Sequence, residues 1–261
     1  MNIPKKSLGQ NFLIDKNIIK KIIDLVEIKD KNIIEIGPGK GALTNEILKK
    51  SPKSLILIEK DNNLVKNLSS IYASNKKVKI HNEDILKFNL EKIIKKNSII
   101  FGNLPYNISS QILVKIINFK GWPPKFNDLI FMFQKELGEK ILGKYKSSNY
   151  GRLSILSNYR LKLFNKFLVT PTCFFPRPKI ISMVIHFKPK YINNILKKNI
   201  KNLEKITNIF FSSKRKMINK TLNKIFLNRH IKLLPELDLK SRPSELKPEI
   251  YYKITNLYEN L

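Results

Sequence analysis

The stretch that decides the fold of this chain is Asn32-Ile33-Ile34-Glu35-Ile36-Gly37-Pro38-Gly39-Lys40-Gly41. Its first five residues form a short β-branched run, which is typical of a buried strand. The glycines that follow let a ligand approach the backbone closely, and the helix predicted from Ala42 presents its N-terminus to polar or anionic groups. The stretch therefore predicts a strand, a ligand-binding turn and a helix.

The glycine spacing separates this turn from two other nucleotide-binding turns. A dinucleotide fold carries GxGxxG, whereas the third glycine, Gly41, comes one residue early here. A P-loop needs four residues between its glycines and a Ser or Thr after its lysine, but Lys40 is followed by Gly41. Neither of those two sites is predicted.

Short apolar runs alternate with amphipathic stretches on both sides of this turn. Strands are predicted at 32–36, 54–59, 77–80, 98–101 and 128–133, and helices at 15–27, 42–50, 62–72 and 109–119. Asp15 and Ser109 are predicted N-caps. The alternation predicts an α/β fold with a parallel sheet and crossover helices.

The pattern changes after the fifth predicted strand. Helices are predicted at 134–142 and 152–158, and strands at 163–169 and 182–187, which suggest an antiparallel hairpin on one edge of the sheet. From Lys188 onward strand signals vanish, and 199–261 is predicted to form several basic helices interrupted by Pro235, Pro243 and Pro248. We expect a domain at 1–188 and a small helical domain at 189–261.

The charge of the chain indicates a polyanionic partner. Its 261 residues include 42% apolar and 10% aromatic side chains, and its formal net charge is +30 at pH 7. A charge of that size destabilises a compact chain through self-repulsion unless an acidic partner is near. Nucleic acid is the favoured partner. An anionic membrane surface is an alternative partner. The excess of positive charge comes mostly from Lys, so the codon bias of a genome rich in A and T would also explain it.

The rare residues exclude several classes of protein. One cysteine, Cys173, permits no internal disulfide and no cysteine metal cluster, and three scattered histidines (His81, His186 and His230) argue against zinc. The N-terminal residues lack a continuous apolar core, so no secretory signal is predicted. No apolar run approaches the roughly 18 residues of a membrane span. We expect a soluble protein of the cytoplasm that binds no metal.

Two acidic residues follow predicted strands where a nucleoside would bind. Glu59 ends the second strand, and an ionised carboxylate there can accept hydrogen bonds from both ribose hydroxyls. Asp84 follows the third strand and can accept from an adenine amine. Asp61 competes with Glu59 for the first role, and Glu83 competes with Asp84 for the second.

The string Asn103-Leu104-Pro105-Tyr106 follows the fourth predicted strand. A carboxamide, a rigid proline and an aromatic ring at the end of a buried strand can hold a flat base that carries an exocyclic amine. Taken alone, the string also fits an Asn-Pro turn that closes a strand. Phe174-Phe175-Pro176-Arg177-Pro178-Lys179 is a second aromatic and proline cluster, which also fits a rigid loop with buried rings.

Taken in order, these strings resemble the ribosomal RNA adenine dimethyltransferases, and the match is close to the bacterial small-subunit enzymes. The matching pieces are KSLGQNFLID (6–15), EIGPGKGALT (35–44), IEKD (58–61), FGNLPYNIS (101–109), QKE (134–136), YGRLS (150–154) and FFPRPKIIS (174–182). RPSEL (242–246) resembles a C-terminal family element more loosely. The strong part of the match spans about the first 190 residues.

The resemblance implies a Rossmann-like methyltransferase sheet with S-adenosylmethionine as methyl donor and S-adenosylhomocysteine as product. It implies that the acceptors are adenines, two of them adjacent, in a hairpin loop of small-subunit (16S) rRNA within a pre-30S particle. It also assigns site residues. The cofactor would be contacted or bordered by Asn11, Leu13, Gly37, Gly39, Glu59, Asp84 and Asn103, and the catalytic residues would be Asn103, Leu104, Pro105, Tyr106 and Phe174.

Within that assignment, Tyr106 and Phe174 would hold the target base between them. The chain departs from the usual family pattern at Arg177, where proline is commoner, and at Phe175, where a smaller residue is usual. A basic run at Lys214-Arg215-Lys216 is expected to lie along the RNA backbone. We expect a monomer.

Two other functions fit parts of the sequence. An antibiotic-resistance methyltransferase acting on large-subunit rRNA would use the same arrangement of Asn103 to Tyr106. An RNA-binding factor that had lost its chemistry would keep the fold, although the intact Glu59, Asp84 and Asn103 argue against that loss.

Overall fold

The computed structural model describes residues 10–191 and 200–261. Residues 6–9 of the first family string and Asn199, where the basic helices were expected to begin, lie outside the described residues. In the described part, the strands are β1 (Phe12–Leu13), β2 (Asn32–Ile36), β3 (Ser54–Glu59), β4 (Val78–Asn82), β5 (Ser98–Asn103), β6 (Phe126–Gln134), β7 (Leu161–Val169), β8 (Phe174–Phe175) and β9 (Ser182–Pro189).

The α-helices of the same residues alternate with the strands as far as β6 and dominate after β9. They are α1 (Lys16–Ile23), α2 (Ala42–Lys49), α3 (Asn62–Ile71), α4 (Leu90–Ile93), α5 (Ser109–Ile117), α6 (Lys135–Ile141), α7 (Arg152–Arg160), α8 (Ile200–Phe211), α9 (Asn219–Leu222), α10 (Asn228–Ile231) and α11 (Pro248–Glu259). Short 3-10 helices lie at Pro171–Cys173 and Pro243–Glu245.

Seven strands form the main sheet, in the order β4-β3-β2-β5-β6-β9-β7. The pairs from β4 to β6 are parallel, and β9 runs antiparallel to β6. The strand order reverses between β2 and β5, and ligands of such sheets bind beyond the carboxyl ends of the strands at this point. The predicted α/β fold is confirmed, and β9 and β7 are neighbours at one edge.

Two very short strands form a separate sheet. β1 and β8 pair antiparallel, with Phe12 opposite Phe175 and Leu13 opposite Phe174. Across such a pair, directly opposite residues share a face and successive residues alternate between faces. The pair therefore divides these four side chains into two faces.

The helix starts follow from their caps. At α1 the Asp15 carboxylate accepts a hydrogen bond from the Ile18 amide (2.9 Å), as predicted, and Ile19, Ile22 and Ile23 are buried. The prediction that Ser109 is an N-cap is wrong. Ile108 occupies that position, and the Ser109 hydroxyl instead donates to the Tyr106 carbonyl (3.2 Å).

The chain divides into two compact units. The first comprises the described residues up to Phe119 together with Pro123–Gly138 and Lys162–Pro189. Its core includes Ile33, Leu55, Phe101 and Ile130 from the main sheet.

The second unit comprises Lys120–Trp122, Glu139–Leu161 and the described residues from Lys190. Its core is built around Tyr251, which is fully buried and has its ring centroid 5.5 Å from that of Phe210. The roles expected of residues 1–188 and 189–261 stay predictions.

Candidate active site

The glycine turn lies at the carboxyl end of β2. Gly37 and Gly39 have φ of +68° and +59°, which favour glycine. A Cβ atom at Gly39 would lie 2.9 Å from Cδ1 of Phe12 in β1. A side chain at position 39 would therefore be strained and would also push β1 away from the turn.

Glu59 ends β3 beside this turn. Its carboxylate accepts hydrogen bonds from the backbone amides of Gly39 (3.3 Å), Lys60 (2.9 Å) and Asp61 (2.9 Å). Burial raises the pKa of Glu59, while the three amides oppose that rise by stabilising the ionised form. The backbone thus holds a carboxylate in a fixed position next to the glycine turn.

Asp61, the alternative to Glu59 for binding ribose, caps a helix instead. Its carboxylate accepts from the Asn63 amide (2.9 Å) as the N-cap of α3, and from the side chain of Gln10 (3.2 Å). Glu59 lines the cavity described below, whereas Asp61 is not among the lining residues. The geometry favours Glu59 for ribose.

Asp84 follows β4 and is half-buried, whereas its neighbour Glu83 is exposed. One Asp84 oxygen accepts from the Leu86 amide (2.9 Å), and the other pairs with Lys60 Nζ (2.9 Å). The hydrogen bond from Lys60 is the main reason that the pKa of Asp84 lies below its usual range. Asp84 is therefore an ionised acceptor, although both acids line the cavity.

Asn103 is the last residue of β5, next to β2. Its side-chain Nδ2 donates to the Asn11 carbonyl (3.1 Å). A carbonyl can only accept, so this bond assigns the nitrogen of the amide and leaves Oδ1 as the acceptor. Leu104, which follows, is buried.

Tyr106 is held at both its hydroxyl and its backbone. The hydroxyl lies 2.5 Å from Ser182 Oγ at the start of β9, and the carbonyl accepts from Ser109. Burial raises the pKa of Tyr106, so the phenol stays neutral at physiological pH. These contacts fix a half-buried ring at the carboxyl end of the sheet.

One cavity of about 210 Å³ collects these groups. Its lining includes ten of the residues that the family resemblance assigned, namely Asn11, Leu13, Gly37, Gly39, Glu59, Asp84, Asn103, Leu104, Pro105 and Tyr106. Gly37 and Asn103, which are far apart in the chain, meet here because β2 and β5 are neighbours whose carboxyl ends form the switch point of the sheet.

Phe174 is the one assigned residue that does not line this cavity. It is 3% exposed, belongs to the hydrophobic core together with Leu13, and is not among the residues that line the cavity. In this conformation its ring is unavailable to a base. Its role in holding the base stays a prediction that requires the ring to become accessible when RNA binds.

Glu35 is a functional candidate that sequence reasoning did not assign. It lines the cavity, is 1% exposed, and accepts a hydrogen bond from the Thr44 hydroxyl (2.6 Å). Burial is the main cause that raises the pKa of Glu35 to about 7, and the charge of Glu59 adds to it. A single acid inside the apolar run 32–36 was the signal in the sequence.

The lining fits S-adenosylmethionine. The fixed carboxylate of Glu59 suits a ribose diol, and the ionised Asp84 suits an adenine amine. Ile58, Leu64 and Ile85 add apolar surface for a purine. Gly39 keeps the turn free of a side chain at the point where a Cβ atom would fill the space.

Residues 10–191 and 200–261 contain no group of three or more His, Cys, Asp or Glu side chains that is placed to hold a metal ion. No helix there has the length and apolar character to cross a bilayer.

Comparisons with known proteins show the family to which the chain belongs. The model of the ribosomal RNA adenine dimethylase family matches residues 1–260. The ribosomal RNA small subunit methyltransferase A of Pelagibacter ubique (strain HTCC1062) is 46% identical over 259 residues, which cover 98% of this chain and 97% of that protein.

Two solved structures are similar over nearly the whole chain. A dimethyladenosine transferase from Plasmodium falciparum has a TM-score of 0.77 and 26% identity, with 95% of this chain and 96% of that chain covered. The 23S rRNA methyltransferase ErmE has a TM-score of 0.67 and 21% identity, with coverages of 96% and 99%, and shows the shared fold. The chain belongs to the ribosomal RNA adenine dimethylase family of S-adenosylmethionine-dependent methyltransferases.

Proposed function

We propose that this chain dimethylates the exocyclic amines of adenines, two of them adjacent, in a hairpin loop of small-subunit (16S) rRNA. S-adenosylmethionine is the methyl donor. The similarity to a small subunit methyltransferase A and to a dimethyladenosine transferase supports this activity. The enzyme would act as a monomer on a pre-30S particle in the cytoplasm and so contribute to small-subunit assembly.

The orientation of the Asn103 amide carries the proposal. Because Nδ2 is held by the Asn11 carbonyl, Oδ1 is the atom available to a ligand amine. Oδ1 and the backbone carbonyl of Leu104 are two acceptors for the two hydrogens of an adenine amine, and Pro105 fixes the turn that aims them. An amine that donates both hydrogens to them is favoured in a pyramidal geometry, in which its lone pair is free to react.

The reaction then needs alignment more than acid–base catalysis. The bound cofactor supplies a methyl group that is already activated by its sulfonium. A methylated amine nitrogen is acidic, so its proton can leave to bulk solvent after the transfer, and the chain needs no dedicated base for that step. The chain orients the amine and excludes water from the cavity. A second transfer requires space for the first methyl group.

The ring of Tyr106 would support the extruded base. Stacking on an aromatic ring contributes on the order of 1 to 3 kcal/mol per base, which offsets part of the energy of unstacking it. The bond of its hydroxyl to Ser182 keeps the ring in place before RNA arrives. We propose Phe174 as the second base-holding ring, after the rearrangement that its burial requires.

The catalytic domain would comprise residues 1–188, and the basic domain at 189–261 would contact RNA. Lys214, Arg215 and Lys216 are exposed and consecutive, so they suit a phosphate backbone. Such contacts position the RNA without reading its sequence.

Large-subunit rRNA is the alternative substrate. The relative named as a small subunit methyltransferase is 46% identical, whereas ErmE is 21% identical and shares the fold. The more similar relative therefore favours the small subunit.

Labelled-methyl transfer tests the proposal. Small subunits and large subunits that lack adenine dimethylation are incubated with the enzyme and labelled S-adenosylmethionine, and the modified nucleotides are mapped. We expect dimethyladenosine in a hairpin loop of the small subunit. Methylation of the large subunit alone, or binding without methyl transfer, would contradict the proposal.

A further inference from the structure

The loop at residues 175–181, which we call the rim loop, borders the cavity at both of its ends. At its start Phe175 is paired across β1 and β8 with Phe12, which lines the cavity. At its end the next residue, Ser182, is bonded to the hydroxyl of Tyr106, which also lines the cavity. The loop therefore runs along the edge of the proposed base-binding site.

The pairing of β1 with β8 sends two neighbouring rings to opposite faces. Phe174 lies opposite Leu13, and both are in the hydrophobic core. Phe175 lies opposite Phe12, so its side chain shares the face of Phe12, whose ring packs against the glycine turn. Phe175 is 57% exposed, so this face presents a large aromatic ring to solvent beside the cavity.

The other exposed side chains of the rim loop suit the same kind of ligand. Arg177 and Lys179 are exposed cations, Ile180 and Ile181 are exposed, and the loop contains no acid. Aromatic rings interleaved with cations bind single-stranded nucleic acid, because bases stack on the rings while phosphates contact the charges. A net charge of +30 disfavours the approach of a second copy of the chain.

We propose that the rim loop binds the unpaired nucleotides that flank the target adenine. The ring of Phe175 stacks on one flanking base, and Arg177 and Lys179 contact the phosphates on either side of it. This inference rests on the proposed function. It adds a second stacking position outside the cavity, which orients the RNA strand so that the target base enters next to Tyr106.

A fluorescent RNA tests the stacking directly. The probe is a synthetic hairpin with two adjacent adenines in its loop and 2-aminopurine, whose emission falls when it stacks, at the next nucleotide. It is titrated with the full chain in the presence of S-adenosylhomocysteine. We expect Phe175→Ala to weaken binding on the order of 5- to 100-fold and to abolish the fall in emission.

Three further variants complete the design. Phe175→Trp keeps a stacking ring and should preserve both signals, whereas Phe175→Leu keeps an apolar side chain and should behave like Phe175→Ala. Phe164→Ala is the matched control, because Phe164 of β7 is 59% exposed, packs against His186 of β9, and is not among the residues that line the cavity. Its RNA affinity should stay within about twofold of the wild type, well below one stacked base.

The contrary outcomes are distinct. Unchanged affinity and emission in Phe175→Ala would overturn the inference, and so would a wild-type dimer that this substitution dissociates without changing RNA binding. If wild-type protein methylates small subunits and Phe175→Ala does so with the same KM for RNA, the inference alone fails. If wild-type protein transfers no methyl group to small subunits, the proposed function fails.

Discussion

At the scale of single residues, one hydrogen bond decides what Asn103 can do. The donation of Nδ2 to the Asn11 carbonyl assigns the acceptor atom, which the string Asn103 to Tyr106 could not do by itself. The sequence supplies the amide, whereas the pairing of β1 with β8 supplies its orientation. Asn11, which is 92 positions away in the chain, therefore determines which atom of the Asn103 amide is the acceptor.

Asn103→Ala tests this role. In its proposed role Asn103 provides one acceptor for the target amine, so we expect single-turnover methyl transfer to small subunits by this variant to fall about 100-fold or more, the range seen for a lost transition-state hydrogen bond. The affinity for S-adenosylhomocysteine, measured by calorimetry, should change about threefold at most. Asn107→Ala, in a neighbouring lining residue, is the control. Equal losses of affinity and rate would assign Asn103 to the cofactor instead.

Glu35 predicts how stability depends on pH. Its folded pKa is raised to about 7 from 4.5, so the folded chain keeps a proton that the unfolded chain loses between these values. The contribution of Glu35 to stability is full below about pH 4.5, falls as pH rises, and is constant above about pH 7. Glu35→Gln removes this dependence while its side chain can still accept from Thr44.

We therefore expect the free energy of unfolding of Glu35→Gln, relative to wild type, to increase by about 2 to 3 kcal/mol between pH 5 and pH 8. Urea unfolding at both values, followed by circular dichroism, measures it. Parallel changes in the two proteins would mean that Glu35 is ionised throughout this range.

Ten of the eleven site residues that the sequence predicted line one cavity, while their roles stay predictions. Glu59 and Asp84 follow strands, and the carboxyl ends of parallel strands converge. The choice between Glu59 and Asp61 needed the helix cap of α3. The exposures of Phe174 and Phe175 depend on which face each occupies, and that is set by pairing with β1 rather than by local sequence.

At the scale of elements, long periodic segments were predictable and the shortest strands were not. β2 and β3 have the predicted bounds, because short apolar runs flanked by turn residues give a clear strand signal. β1 and β8 have two residues each and therefore no period to detect. Their pairing nevertheless positions Phe12 against the glycine turn.

Gly39→Ala tests this contact between elements. Its φ of +59° and the 2.9 Å approach to Phe12 make any Cβ strained, so we expect the free energy of unfolding to fall by about 1 to 3 kcal/mol. Affinity for S-adenosylhomocysteine should fall with it.

Gly151→Ala is the matched control. Gly151 has an extended backbone, and a Cβ atom there would lie 3.8 Å from Phe211, an ordinary contact. Equal unfolding midpoints for the two variants would contradict the steric argument.

At the scale of the whole molecule, charge sets the strength of RNA binding and the site sets what reacts. A formal charge of +30 favours any polyanion, so it gives the class of partner without its sequence. The parallel sheet was predictable from the alternation of strands and helices. The place of β9 between β6 and β7 was not, because it depends on long-range pairing that no local pattern encodes.

Replacing Lys214, Arg215 and Lys216 together by alanine tests the basic run. If all three contact phosphates of unpaired RNA, the slope of log affinity against log salt should become shallower by about 2. The control is the triple alanine variant of Lys92, Lys95 and Lys96. These lysines are also exposed, and replacing them removes the same amount of charge. The same slope in both variants would remove Lys214 to Lys216 from the interface.

The position of β1 has a consequence for protease sensitivity. Asn11, Phe12 and Leu13 line the cavity, so a ligand there binds the conformation in which this segment is ordered. By mass action, ligand at 100 times its Kd lowers the free energy of that conformation by about 2.7 kcal/mol. S-adenosylhomocysteine should therefore slow cleavage near Lys16 by trypsin, which reports occupancy of the cavity without any RNA or methyl transfer.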